Sequence, residues 1–269
     1  MATLLFNCEV FTKISNINPT VTIFYDSKWC QTINISPFTL LFNKLKGKFE
    51  KIFLMPLKVE DLEDQVNYRQ ILAIPYSELI NFVFDYLKRK TGLMVFFWAL
   101  NIFFLLTALS FRFHISGYFA LKSIFLHSML GLVVFPILCI PVHELLHVIP
   151  FWMTGAHRIR IGMDFKQYIF YVTAHRHVAS PGEFRFIALV PFIAISIALI
   201  IMIILLPGLW KWSLSLLLFV HTTMCAGDFA MLNFYCINKG KKIYSWVILK
   251  ILIFKLDNTD FELIRNRIV

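Results

Sequence analysis

Residues 139–150 read CIPVHELLHVIP, from Cys139 to Pro150: two histidines and a glutamate in an otherwise apolar run. On a helix, residues four apart share a face, so His143 and His147 can turn both imidazoles toward one metal ion. Glu144 projects beside them, where it can hold and deprotonate the metal's water, whose pKa zinc brings to roughly 7. Inside a membrane span each such side chain costs about 2–3 kcal/mol or more unless it has a partner. Three together call for one. The partner is a metal ion or, in the plainer alternative, polar groups on other spans.

The rest of the chain argues for lipid around this motif. Its 269 residues are 58% apolar with 29 phenylalanines, and the mean hydropathy is +0.70. Soluble domains hold about 45–50% apolar residues, so the expectation is an all-α polytopic membrane protein. Four uncharged or nearly uncharged runs read as spans: Leu93 to Phe111, Ile124 to Pro150, Phe184 to Leu206 and Trp212 to Ile237. The net charge of +10 gathers in alternate connections. Lys88-Arg89-Lys90 precede span one; Arg158, Arg160, Lys166, Arg176 and Arg185 separate spans two and three; Lys239, Lys241 and Lys242 follow span four. The other two connections hold only Arg112 and Lys122, and Lys211. This positive-inside pattern predicts a cell-membrane protein with both termini cytoplasmic and basic loops facing anionic lipid headgroups. No basic stripe with interleaved aromatics marks a nucleic-acid binder.

The topology sets the depth of the polar residues. Spans two and four run the same way, which puts His143 to His147 and Asp228 at a similar level. A catalytic zinc needs a third protein ligand and an open position. Pro150 and Met153 stand where a metzincin would continue its motif, which excludes that class. Asp164 lies among basic residues and reads as a surface charge. Glu183 falls in Ser180-Pro181-Gly182-Glu183, a capping box that opens span three. Asp228 is the intramembrane carboxylate besides Glu144 and is preferred as third ligand, with Glu183 as the alternative. His221, Cys225 and Asp228, spaced i, i+4, i+7, share a helix face, so His221 and Cys225 are expected beside the site or against substrate.

The other segments carry less. Residues 1–54 show no helical period and weak strand hints such as TVTIFY; MATLLFNCEVFTK carries no cleavable signal, and Met55 is one candidate native start. Residues 55–92 read as a cytoplasmic amphipathic helical segment, with acidic residues at Glu60–Asp64 and a stripe of Leu79, Ile80, Val83, Phe84 and Leu87. RIRIGMDF alternates with a period of two, and a second β-rich stretch follows at Tyr168 to Thr173, predicting a β-hairpin in the cytoplasmic loop between spans two and three. Such a hairpin can add a substrate strand or simply pack on headgroups. Residues 239–269 form a cytoplasmic tail, in which Ile243 to Phe254 reads as an interfacial helix. The five cysteines (Cys8, Cys30, Cys139, Cys225, Cys236) form no CxxC pair and read as packing residues.

HELLH in one span, a hairpin loop, a span entered through FRFIALVPF and a later span carrying AGDFAM follow a recognisable order. Over Leu93 to Lys239 the chain resembles the membrane zincin peptidases, a domain of unknown function, and is similar in plan to site-2 proteases. The resemblance implies Zn2+ held by His143, His147 and Asp228, with Glu144 as catalytic base. Two positions depart from the site-2 pattern: Gly227 precedes Asp228 rather than following it, and Leu189-Val190-Pro191 stands where Ala-Gly-Pro is usual. The expected function is a zinc metalloendopeptidase acting on membrane or membrane-proximal proteins or peptides. The rival is a non-catalytic metal-binding or degenerate membrane protein that works through a partner. Domain boundaries follow as 1–54, 55–92, a four-span unit at 93–238, and 239–269.

Overall fold

The computed structural model describes residues 10–15, 18–25, 29–34, 57–115, 117–156, 159–164, 169–248 and 251–257. Met55, residues 1–9 with Cys8, Arg158 and Lys166 lie outside them. The chain divides into two compact units: Met1–Glu78, His147–Ile187 and Gly240–Val269 form one, Leu79–Leu146 and Ala188–Lys239 the other.

The second unit is helical. Helix α1 (Leu79–Lys88) carries the predicted apolar stripe and ends at Lys88. Helix α2 (Gly92–Ile115) is the first long apolar helix. Next come α3 (Leu121–Met129), one π-type turn (Leu130–Val134) and α4 (Phe135–Met153), which together make a continuous apolar run. Helix α5 (Pro181–Leu205) holds Pro191 in its interior. Helices α6 (Leu209–Met224) and α7 (Ala226–Ile237) meet at Cys225 with a 43° bend. Three helical runs are thus long and apolar enough to cross a membrane, or four if the bent pair is one span. In the three unbroken runs only 28%, 22% and 39% of the most apolar window is buried within the chain. Phe96, Ile102, Phe103, Leu106, Ile197 and Ile204 are among the apolar side chains left outside. Lipid can cover such a surface and water cannot, as a multi-pass membrane protein requires.

Where these helices do touch, the contacts are close. Phe104, Ile195, Leu199, Leu214, Leu217 and Leu218 form one buried cluster, and Met94, Phe97, Phe192, Cys225 and Phe229 another. A β-carbon on Gly131, in the π-type turn, would stand 2.4 Å from the Ser213 carbonyl oxygen. The turn and the glycine together let the two backbones meet. Nearby, Trp212 donates its ring N–H to Ser128 Oγ at 2.9 Å, and Ser213 Oγ donates to the His127 carbonyl at 2.9 Å.

The first unit corrects the all-α expectation, because it is built on two antiparallel sheets. One has the order β3-β2-β1-β5-β6: β1 (Val10–Ser15), β2 (Asn18–Tyr25), β3 (Trp29–Asn34), β5 (Ile159–Asp164) and β6 (Ile169–Ala174). TVTIFY lies in β2. The predicted hairpin is β5–β6, but β1 pairs with β5 through Val10 and Phe11, so strand addition at that edge is taken by the chain itself.

The second sheet, β4-β8-β7, overturns two helix expectations. Strand β4 (Tyr68–Pro75) occupies the middle of the supposed helical segment 55–92, after a single 3-10 turn at Asp61–Glu63. The acidic cluster makes turns instead of opening a helix. Asp64 accepts from the Val66 amide at 2.9 Å and from Asn67 Nδ2 at 2.7 Å, which holds its carboxyl below the ordinary aspartate value. Strands β7 (Ile243–Ile248) and β8 (Ile251–Asp257) replace the interfacial helix. Leu252, Phe254 and Leu256 are buried while Ile253 and Lys255 between them are not, so the true period is two.

Replacing Gly131 with alanine should destabilise the detergent-solubilised protein by about 1–3 kcal/mol through overpacking. Gly92→Ala, with nothing within 4 Å of its β-carbon, should cost far less; thermal unfolding of the two variants side by side checks the contrast.

Candidate metal centre

Helix α4 runs unbroken from Phe135 to Met153, through Pro141 and Pro150, so the irregular turn lies before the motif rather than around it. His143 and His147 are therefore one turn apart on one face, both buried, with Glu144 half-buried beside them. His143 uses both ring nitrogens. Its Nε2 lies 3.2 Å from Asp228 Oδ2, and its Nδ1 lies 3.4 Å from His221 Nε2. Cys225 Sγ stands 3.9 Å from His143 Nδ1 and 3.7 Å from His221 Nε2. Phe192 stacks its ring nearly parallel to that of His221, and Phe192 and Phe229 close the apolar wall behind Cys225.

His147 is held from a different direction. Its Nδ1–H donates to the carbonyl of Ile187 at 3.0 Å. That carbonyl belongs to helix α5, where it would ordinarily accept the amide four residues on. The residue four on is Pro191, which has no N–H. Proline thus releases the acceptor that fixes the His147 ring and leaves Nε2 as its lone-pair nitrogen, the usual arrangement for a ligating histidine. In the sequence Leu189-Val190-Pro191 stands out only as a departure from a family pattern. The i to i−4 count from Pro191 back to Ile187 was the signal that could have found this role.

Asp228 lies in the first turn of α7, at the third residue after the break. Helix α7 is tied in place by Asn233, which sequence reasoning passed over. Asn233 Nδ2 donates to the carbonyls of Tyr86 and Arg89, at 2.7 and 3.2 Å, and its Oδ1 accepts from Thr91 Oγ1 at 2.5 Å. One fully buried amide thereby satisfies the carbonyl end of α1 and the entry of α2.

Within the helical unit His143, His221 and Cys225 offer ligand atoms within 4.8 Å of one another, and Asp228 faces the other nitrogen of His143; His147 stands one turn further along α4. For bonds of about 2.0 Å the edge of a tetrahedral site is about 3.3 Å, close to the 3.2 Å between His143 Nε2 and Asp228 Oδ2. Two imidazoles, one carboxylate and an open fourth position suit zinc in a hydrolytic role. Glu183 is placed elsewhere in purpose: its carboxylate accepts the Ser180 amide at 2.8 Å, and the Ser180 hydroxyl faces the Glu183 amide at 3.4 Å, a reciprocal cap on α5.

Residues 136–244 match the model of a family described as "Putative zincin peptidase". The matched segment begins at the start of α4, contains His143, Glu144, His147, Pro191 and Asp228, and ends in β7. No curated protein and no solved structure matches the chain.

Pro191→Ala should restore an amide that competes for the Ile187 carbonyl. The expected result is a loss of roughly 10–100-fold in zinc affinity with no loss of thermal stability, although proline is normally unfavourable inside a helix. Glu183→Ala should do the reverse, costing about 0.5–2 kcal/mol as a lost cap with unchanged metal content by atomic absorption.

Proposed function

We propose that the chain is a membrane-embedded zinc metallopeptidase that hydrolyses peptide bonds of membrane or membrane-proximal proteins. The observation that carries the proposal is Asp228 Oδ2 at 3.2 Å from His143 Nε2, on a helix that bears the whole His-Glu-x-x-His motif. The zincin description of the matched segment and the apolar helices around it support the same reading.

In this reading His143, His147 and Asp228 hold the ion, and Asp228 offsets part of its charge. Zinc, when bound, supplies Lewis acidity toward a peptide carbonyl and makes water a nucleophile near neutral pH. Glu144 takes the proton from the attacking water and then gives it to the departing amine, so one carboxylate serves as base and as acid. The Ile187 carbonyl keeps His147 in one tautomer, and His221 Nε2 can accept the Nδ1 proton of His143. A helical substrate must first unwind locally, since its carbonyls are already hydrogen-bonded within the segment. The lysine and arginine distribution supports a cytoplasmic side for the termini and the β5–β6 hairpin, against anionic headgroups.

Purified wild-type protein should retain zinc, and the paired change His143→Ala, His147→Ala should abolish it. Asp228→Asn should weaken retention. Glu144→Gln should keep the metal while cleavage falls about 10²–10⁴-fold, followed by quantifying membrane-protein fragments in host cells. A wild-type chain that holds no zinc, or one whose zinc survives the double alanine change, would remove the peptidase reading.

A further inference from the structure

The Cys225–His221–His143 cluster is more than the peptidase reading uses. All three side chains are buried, with His221 and Cys225 at 0% exposure and His143 at 7%. Their facing atoms, His143 Nδ1, His221 Nε2 and Cys225 Sγ, stand 3.4, 3.7 and 3.9 Å apart. The other nitrogen of His221, Nδ1, is buried with no hydrogen-bond partner among the described residues, so the ring is held by what it does through Nε2.

We propose that His143 Nδ1, His221 Nε2 and Cys225 Sγ form a second metal site, selective for a soft monovalent ion, Cu(I). For bonds of about 2.0 Å to nitrogen and about 2.3 Å to sulfur, a trigonal site has edges of about 3.5 and 3.7 Å. The three measured separations fit that triangle. Two imidazoles with one thiolate form a donor set that soft ions favour. Binding releases the Cys225 thiol proton to solvent, and one thiolate with a monovalent ion and two neutral imidazoles sums to zero. In that state His143 gives its Nδ1 lone pair and keeps its proton on Nε2, facing Asp228 Oδ2. The bend at Cys225 creates the site, since it sets the thiol between the two imidazoles at the junction of α6 and α7. His143 is the one residue shared with the zinc reading, and its ring serves one ion at a time.

The test is anaerobic competition for Cu(I) between the full-length protein in detergent and a chromogenic Cu(I) chelator. Wild type should withdraw one Cu(I) per chain, and Cys225→Ser and His221→Ala should each bind at least about tenfold more weakly. Cys236→Ser, which removes an exposed thiol outside the site, should bind as wild type does. Unchanged affinity in Cys225→Ser, or a loss in Cys236→Ser that matches the loss in Cys225→Ser, overturns the site. X-ray absorption at the copper edge of the wild-type chain needs no variant: one sulfur with two imidazole neighbours is expected, and a spectrum without sulfur refutes the proposal. A chain that binds Cu(I) in this way yet cleaves nothing leaves the copper site standing and removes the peptidase reading alone.

Discussion

A histidine ring inside an apolar helix bundle has two nitrogens, one a donor and one an acceptor, and no water to satisfy either. Each gains by meeting another polar atom or a metal, and for His143 and His147 that demand organises the centre of this protein. His143 meets it with Asp228 on one side and His221 and Cys225 on the other. His147 meets half of it with a backbone carbonyl of α5. Helices α6 and α7, otherwise apolar, are thereby tied to His143, and α5 to His147. Dispersion and lipid covering hold the rest of the bundle but do not by themselves choose a register between helices. The polar partners do.

The carbonyl that holds His147 shows how backbone chemistry enters. A regular helix spends all its interior carbonyls on its own amides and has none to offer a neighbour. Removing a single N–H at Pro191 frees one acceptor, four residues earlier and at a fixed place on the helix. A side-chain acceptor could do the same job only with its own torsions to restrain and its own desolvation to offset. A carbonyl on a helix is already rigid, and a ligand that must stay in one tautomer gains most from a rigid partner. Asn233 solves the opposite problem with the opposite means: a side-chain amide supplies donors to carbonyls left over where α1 ends.

How much of this could be read in the sequence follows from which interactions are local. Long apolar runs, the four-residue spacing of His143 and His147, the Ser180–Glu183 cap and the alternation of RIRIGMDF are all set within a few residues, and each forms the local element its pattern predicts: apolar helices, one helix face, a helix cap and a strand. The failures were non-local or sat on ambiguous patterns. Ile243 to Phe254 is apolar enough to hide its period, and only pairing with β4 makes it a sheet. Tyr68 to Pro75 lacks turn signals strong enough to separate it from the helix that follows. The β1–β5 pairing joins residues some 150 positions apart, which no local pattern announces. At the centre, the His221–Cys225–Asp228 spacing suggested one continuous helix face. The three residues do gather round His143, but across a broken helix whose bend was not legible.

That break does two things that a straight span could not. It gives α7 its own N-terminus inside an apolar run, and Asp228 stands in that first turn. The positive end of the helix dipole favours a negative charge there, which eases the burial of a carboxylate where lipid would oppose it. It also turns the axis by 43° between His221 and Asp228, so the two approach His143 from opposite sides of its ring and not along one line. A straight helix would place residues seven apart about 10 Å apart along its axis, too far for one imidazole to reach both. The bend is therefore the condition for His143 to serve two partners, and it is bought with local helix geometry at a residue, Cys225, whose own side chain then faces the same ring.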